Sequence, residues 1–105
     1  MESQLNMNRH AGVVYVAAKK DSYIEEAFLS ADSVKQRYPT LPVTLFTDRL
    51  DHPLCRRDCF DQALPAVPVS AGISLASSEA KLQRALCLRR TPYPYTLYLD
   101  TDTKV

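Results

Sequence analysis

Two short apolar runs, separated by one amphipathic segment, constrain the fold of this chain more than any other feature of its sequence. The runs are GVVYVAA at residues 12–18 and VTLFT at residues 43–47. Continuous runs rich in β-branched residues are typical of strands buried on both faces of a parallel sheet. Between them, apolar side chains recur at steps of three and four, which predicts a helix with one apolar face (Ile24, Ala27, Phe28, Ala31, Val34 and Tyr38). Strand, helix and strand with short joints predict a βαβ unit with a right-handed crossover.

The ends of this helix have their own signals. Ser22 is followed three residues later by Glu25, which is the spacing of a capping box. Pro39 cannot continue a helix, because it lacks the N–H and its ring clashes with the preceding turn. The sequence therefore predicts a helix that begins at Ser22 and ends before Pro39.

The second half of the chain is less regular. A helical turn is predicted near Cys55–Leu64 and a short strand near Ala66–Ser70. Ser77 or Ser78 is expected to cap a second helix, which runs to about Arg90 and is basic toward its end. The run at residues 95–99 predicts a third strand, again buried.

These elements predict a three-layer α/β domain with a mostly parallel sheet built from Rossmann-like βαβ units. The chain has 105 residues, which suits one domain. Residues 1–11 are expected to form a polar lead-in, and residues 12–105 the domain itself.

Composition excludes several functions and locations. Thirteen basic against twelve acidic residues give a net charge of +1, so neither nucleic acid nor an anionic membrane is expected as a partner. No apolar run is long enough to cross a bilayer, no signal peptide is visible, and three cysteines are too few for a disulfide framework. A cytoplasmic protein without a membrane segment is therefore expected.

The small number of glycines restricts how this chain could bind phosphate. Gly12 and Gly72 are the only two, and they lie far apart. Glycine-rich dinucleotide and Walker loops need clustered glycines, so that backbone N–H groups can approach the phosphates. Any phosphate binding must use another device, such as a metal ion.

The segment LYLDTDTKV at residues 97–105 offers such a device. Residues i and i+2 of an extended strand point to the same side, so Asp100 and Asp102 are expected to face one site. Ligands of open α/β sheets bind outside the carboxyl ends of the strands. Two carboxylates there suit Mg²⁺ or Mn²⁺, which can in turn hold a diphosphate.

The motif and its setting resemble the nucleotide-diphospho-sugar transferases, that is, glycosyltransferases of the GT-A type. The resemblance runs from GVVYVAA through PVTLFTD to TPYPYTLYLDTDTKV and covers residues 12–105. It implies a nucleotide-sugar donor bound through Mn²⁺ or Mg²⁺, with the metal stabilising the departing nucleoside diphosphate.

The resemblance also implies roles for single residues. Asp102 would bind the metal directly, and Asp100 would bind it through water or would contact the ribose and diphosphate. Ala17 and Ala18 would lie under the nucleobase, and Asp48 would contact the nucleoside. A basic residue on the second helix, either Lys81 or Arg84, would reach the donor.

Three functions follow from these observations. The first is a metal-dependent glycosyltransferase. The second is a non-catalytic donor-binding fragment, because the motif is followed by three residues where such enzymes build an acceptor side; an unpaired sheet edge would then favour self-association. The third is a phosphatase of the haloacid dehalogenase type, in which the first Asp of D-x-D-T attacks phosphorus. Catalytic residues are not assigned.

One further cluster has a simpler interpretation. His52, Cys55 and Cys59 lie close together in sequence, but their spacing fits no standard zinc site. Packed thiols in a loop are expected there, and Cys87 is expected to be a small core residue.

Overall fold

The computed structural model describes residues 11–67 and 76–103, with side chains in the second range from residue 81 onward. The described residues form four strands and two α-helices in an α/β arrangement. In chain order these are β1 (Ala11–Ala17), α1 (Asp21–Arg37), β2 (Val43–Thr47), β3 (Gln62–Pro65), α2 (Ala76–Leu88) and β4 (Tyr95–Tyr98). A short 3-10 helix, Pro53–Arg56, lies between β2 and β3. No helix of the described residues has the length and apolar character needed to cross a bilayer.

The four strands form one parallel sheet in the order β3-β2-β1-β4. This confirms the predicted βαβ unit and parallel sheet. From β1 the chain moves outward to β2 and β3, and it then returns to the other side of β1 to form β4. In open α/β sheets, a crevice for ligands forms at the carboxyl ends of the strands where the strand order reverses in this way. The reversal here lies between β1 and β4.

The side chains of β1 belong to two separate apolar clusters, because successive side chains of a strand point to opposite faces of the sheet. Val13 and Tyr15 pack with the apolar face of α1. Val14 and Phe46 pack on the opposite face with Cys87 of α2. Full burial of a side chain of this size contributes about 1.5–3 kcal/mol, so the two clusters together hold the helices against the sheet.

Helix α1 begins differently from the prediction. It starts at Asp21, and the residue before it, Lys20, occupies the cap position without any side-chain hydrogen bond to the helix. The predicted capping box at Ser22 and Glu25 is wrong, because Ser22 already lies inside the first turn. The end agrees with the prediction, since α1 stops at Arg37, two residues before proline.

After β2, the observed helical turn and strand lie earlier in the chain than the predicted ones. The strand lies at Gln62–Pro65 rather than near Ala66–Ser70, and residues 68–70 of that prediction lie outside the described residues. In place of the helical turn predicted near Cys55–Leu64, the structure has the 3-10 helix Pro53–Arg56. Pairing with β2 decides the position of β3: the Asp61 N–H donates to the Val43 carbonyl and the Ala66 N–H to the Thr47 carbonyl, each at 2.9 Å.

The last two elements also differ from the prediction. Helix α2 begins at Ala76, ahead of both serines proposed as its cap, and ends at Leu88. Strand β4 pairs only with β1 among the described residues, so it is an edge strand and not a buried one. Its side chains Tyr95 and Leu97 are 73% and 56% exposed. Association of copies through this edge stays a prediction.

Candidate functional site

A cleft of about 660 Å³ opens at the reversal between β1 and β4. Four parts of the chain line it: the end of β1 with the loop after it, the first turns of α1, the middle of α2, and the last residue of β4 with the segment that follows it. The lining residues are Val16, Ala18, Lys19, Lys20, Tyr23, Glu26, Gln83, Arg84, Tyr98, Asp100, Thr101 and Asp102.

Four of the predicted site residues line this cleft, namely Ala18, Arg84, Asp100 and Asp102. The other three do not. Ala17, the last residue of β1, is fully buried. Asp48 binds a backbone N–H of the loop after β1, and Lys81 is exposed on α2 outside the lining.

The two carboxylates reach the cleft by a geometry that differs from the prediction. Strand β4 ends at Tyr98, and the Thr103 N–H donates to the Asp100 carbonyl at 2.9 Å. This i to i+3 hydrogen bond makes residues 100–103 a turn, so the expectation of an extended strand through Asp102 is wrong. The turn nevertheless directs both Asp100 and Asp102 to the cleft, and the side chain of Asp100 is 63% exposed.

Arg84 faces the first of these carboxylates. Its Nη1 atom lies 3.6 Å from Oδ1 of Asp100, and both side chains are partly exposed. Solvent screening makes an ion pair of this kind weak, about 0–1 kcal/mol. Breaking this pair therefore costs little. Asp100 can then bind another cation, and Arg84 can bind an anionic ligand.

Tyr98 completes this part of the cleft. Burial raises the pKa of its hydroxyl, a hydrogen bond and the charge of Arg84 lower that pKa, and the charge of Asp100 raises it again. The net shift is upward from 10, so the hydroxyl keeps its proton near neutral pH. Tyr98 can thus donate a hydrogen bond within the site.

The loop after β1 has an unusual backbone at the cleft. Lys19 has a φ of 80°, the left-handed region that residues other than glycine rarely adopt. Its N–H donates to both carboxylate oxygens of Asp48, at 3.1 and 3.2 Å. Nη2 of Arg49 donates to the Lys19 carbonyl at 2.5 Å. Asp48 therefore does not line the cleft itself but holds the backbone of a residue that does.

Sequence reasoning missed several lining residues. Lys19 and Lys20 directly follow the first apolar run, and the rule that ligands bind at the carboxyl ends of strands could have identified them. Tyr98 packs in the apolar cluster with Val14 and Phe46 and also lines the cleft. Glu26 and Gln83 carried no sequence signal, because only the packing of the helices brings them to the cleft.

The charges of the lining balance. Lys19, Lys20 and Arg84 are cationic, whereas Glu26, Asp100 and Asp102 are anionic. A divalent cation at the carboxylates would change this balance to a net positive charge. The cleft would then attract a polyanion such as a diphosphate.

The donor set fits a metal that takes part of its coordination from the ligand. Among the described residues no group of three or more His, Cys, Asp or Glu side chains could hold a metal ion. Asp100 and Asp102 supply two carboxylates on one turn. Mg²⁺ is commonly held by one or two carboxylates, with water and substrate phosphates in its other positions.

The predicted packing of the cysteines agrees with the structure. Cys55, Cys59 and Cys87 are free and buried. Burial raises the pKa of all three thiols, that of Cys59 to about 11. Nδ1 of His52 accepts a hydrogen bond from the Leu54 N–H, which caps the 3-10 helix. Each of these groups has a structural role in the loop or the core.

No family model matches the chain, and no curated protein matches it significantly. The functional assignment therefore depends on the cleft and on the residues that line it.

Proposed function

We propose that this chain binds a nucleotide-sugar donor in the cleft between β1 and β4, through a divalent metal held by Asp100 and Asp102. It would be the donor-binding part of a three-layer domain like that of GT-A glycosyltransferases. One observation carries the proposal: the crevice where the strand order reverses is lined together by Ala18, Arg84 and both carboxylates. Ligands of open α/β sheets bind at this position.

Each of these residues is assigned to a different part of the bound donor. Asp102 would hold the metal, and Asp100 would hold it directly or through water, while Arg84 would pair with the diphosphate. The metal supplies Lewis-acid stabilisation of the departing diphosphate. Ala18 has a small side chain directly after β1, which leaves room for a nucleobase. Asp48 and Lys81 lie outside the lining, so we assign Arg84 as the basic residue of α2 that reaches the donor.

Ligand-dependent stabilisation tests the proposal, because a ligand that binds only the folded state raises the melting temperature. The purified chain is heated with Mn²⁺ alone, with each common nucleoside diphosphate alone, and with both together. We expect the largest rise in Tm with both ligands, and we expect Asp102→Ala to abolish it. Asp58→Ala is the matched control, because Asp58 is also an exposed aspartate in a turn but lies outside the cleft. No rise with any pair, or an equal rise in Asp102→Ala, would contradict the proposal.

Turnover is tested separately from binding. Release of nucleoside diphosphate from a nucleotide-sugar, with water or a sugar as acceptor, measures transferase activity. Donor binding without release would identify a non-catalytic donor-binding chain. Hydrolysis of p-nitrophenyl phosphate that depends on Asp100 and not on nucleotide would instead support the phosphatase.

A further inference from the structure

The β1–α1 loop, residues 18–20, brings two lysines to the cleft. Lys19 and Lys20 are both exposed and both line it, between the small side chain of Ala18 and the first turn of α1. The ammonium group of Lys20 also lies 5.7 Å from the centre of the Tyr23 ring, which is itself part of the lining. Lysine ammonium groups are common ligands of phosphate.

The backbone conformation of this loop depends on contacts from outside the loop. At a φ of 80° the Cβ of a lysine crowds the backbone, and such a conformation persists only where surrounding contacts enforce it. Removing those contacts would allow the loop to adopt a relaxed conformation, which would move both lysines away from the cleft.

Two consecutive residues directly after β2 supply the contacts. Asp48 accepts the Lys19 N–H with both carboxylate oxygens, and Arg49 donates to the Lys19 carbonyl. Nη1 of Arg49 also donates to Oδ1 of Asp21 at 3.1 Å, which connects the loop to the first residue of α1. The N–H and the carbonyl of Lys19 are thus held by the side chains of two neighbouring residues that follow β2.

From this geometry we infer that Lys19 and Lys20 bind the phosphates of the ligand, and that Asp48 and Arg49 are positioning residues that hold them at the cleft. The inference rests on the proposed function and deepens it. It also replaces the expected contact between Asp48 and the nucleoside with an indirect role, since the Asp48 carboxylate is occupied by the loop.

Inorganic pyrophosphate distinguishes a positioning role of Asp48 from direct contact between Asp48 and the nucleoside, because pyrophosphate has phosphates and no nucleoside. The affinities of the full chain for Mg²⁺-pyrophosphate and for Mg²⁺ with UDP or GDP are measured by calorimetry. Asp48→Ala is expected to weaken all three by about tenfold, the value of one charge-assisted hydrogen bond. Weaker binding of a nucleoside diphosphate with unchanged pyrophosphate affinity would overturn the inference and favour direct contact.

A double-mutant comparison tests whether Asp48 acts through the lysines. The Lys19→Ala, Lys20→Ala double variant is expected to lose at least as much pyrophosphate affinity as Asp48→Ala. In that background Asp48→Ala should have almost no further effect, because no phosphate ligand remains in the loop to be positioned. An undiminished effect of Asp48→Ala there would contradict the positioning role.

Two further variants control for folding. Asp61→Ala also removes a carboxylate that accepts a backbone N–H, from Val43 at 2.8 Å, and pairs with a cation, Lys35 at 2.6 Å. It should lower stability without changing pyrophosphate affinity in the folded fraction. Asp48→Asn keeps one oxygen acceptor for the Lys19 N–H and should retain most of the affinity.

The outcomes separate this inference from the proposed function. If the wild-type chain binds none of the three ligands with Mg²⁺, the proposed function fails and the inference fails with it. If the wild-type chain binds them and Asp48→Ala binds equally well, the inference alone fails.

Discussion

The aromatic ring of Tyr93 lies against the backbone of Gly12, in the volume that a side chain at residue 12 would occupy. The hydroxyl of the same tyrosine is hydrogen-bonded to Oγ1 of Thr44 at 2.6 Å. Tyr93 therefore crosses β1 and reaches β2 from the segment just before β4. This contact helps to fix where β4 begins, and so where the turn with Asp100 and Asp102 leaves the sheet.

Replacing this glycine should destabilise the protein. Gly12→Ala places a methyl group inside the Tyr93 ring, and overpacking of this kind costs about 1–3 kcal/mol. Urea denaturation followed by circular dichroism measures the change in the free energy of unfolding. In a Tyr93→Ala background the ring is absent, and the same Gly12→Ala change should cost little. An equal cost in both backgrounds would show that Tyr93 is not the cause.

A buried hydroxyl pair should respond unequally to its two deletions. Tyr15 Oη and Ser30 Oγ are 2.7 Å apart between β1 and α1, and both residues are buried. Ser30→Ala leaves the tyrosine hydroxyl without its partner, which costs about 1–3 kcal/mol. Tyr15→Phe should cost less, because a helical serine can donate to the carbonyl four residues earlier.

The cost of both changes in one chain checks this explanation. Since the double variant leaves no buried hydroxyl of the pair unsatisfied, its cost should be smaller than the sum of the two single costs. Additive free energies of unfolding would mean that the pair is not coupled.

The two basic residues considered on α2 should differ in ligand binding. Arg84 lines the cleft beside Asp100, whereas Lys81 lies outside it. Arg84→Gln should weaken the binding of a nucleoside diphosphate with Mn²⁺ by about tenfold, through loss of a charge-assisted hydrogen bond. Lys81→Gln removes the same charge from the same helix and should leave that affinity unchanged.

Arg84→Gln should have the opposite effect on Mn²⁺ alone. Without the arginine its guanidinium no longer competes with the metal for the Asp100 carboxylate, so metal binding should strengthen, by up to about fivefold for an exposed ion pair. Calorimetric titration with Mn²⁺ in the absence of nucleotide measures this. Unchanged or weaker Mn²⁺ binding would show that the pair does not compete with the metal.

Stability should fall at alkaline pH. The pKa of Cys59 is about 11 in the folded protein, against 9.0 for an unperturbed thiol, and burial is the main cause. Between these values the unfolded chain has lost the proton that the folded chain retains, so stability is complete below pH 9 and decreases as pH rises toward 11. One such group contributes a slope of at most about 1.4 kcal/mol per pH unit.

Denaturation at pH 8, 9 and 10 under reducing conditions measures this slope. Cys59→Ala should have a smaller slope than wild type. Some slope should remain, because burial also raises the pKa of Tyr15 and of Cys87. An identical slope in the variant would exclude Cys59 as a contributor.

The first half of the fold was predictable from local patterns. The strand at residues 43–47 has the predicted bounds, and the strand from residue 12 differs by one residue at each end. Their apolar runs are continuous because consecutive side chains of both strands are buried, and α1 ends before Pro39 as expected. The second half was less predictable: β3 has no strong pattern of its own, and its position depends on hydrogen bonds to Val43 and Thr47 of β2.

The candidate site was predicted in part. A pair of carboxylates after an apolar run is visible in the sequence, and both line the cleft. Their geometry was not predictable, because the turn at residues 100–103 depends on where the pairing between β1 and β4 ends. The role of Asp48 was not predictable either, since its partner Lys19 is 29 residues away.

The sequence by itself determined the α/β class, the parallel sheet and the carboxylates, because each depends on a run of neighbouring residues. The tertiary structure decided which strands are neighbours. By inserting β1 between β2 and β4, it located the reversal of strand order and brought Lys19, Arg84 and Asp102 from distant parts of the chain to one cleft. Such an arrangement follows from long-range packing and pairing, to which local sequence patterns give no direct access.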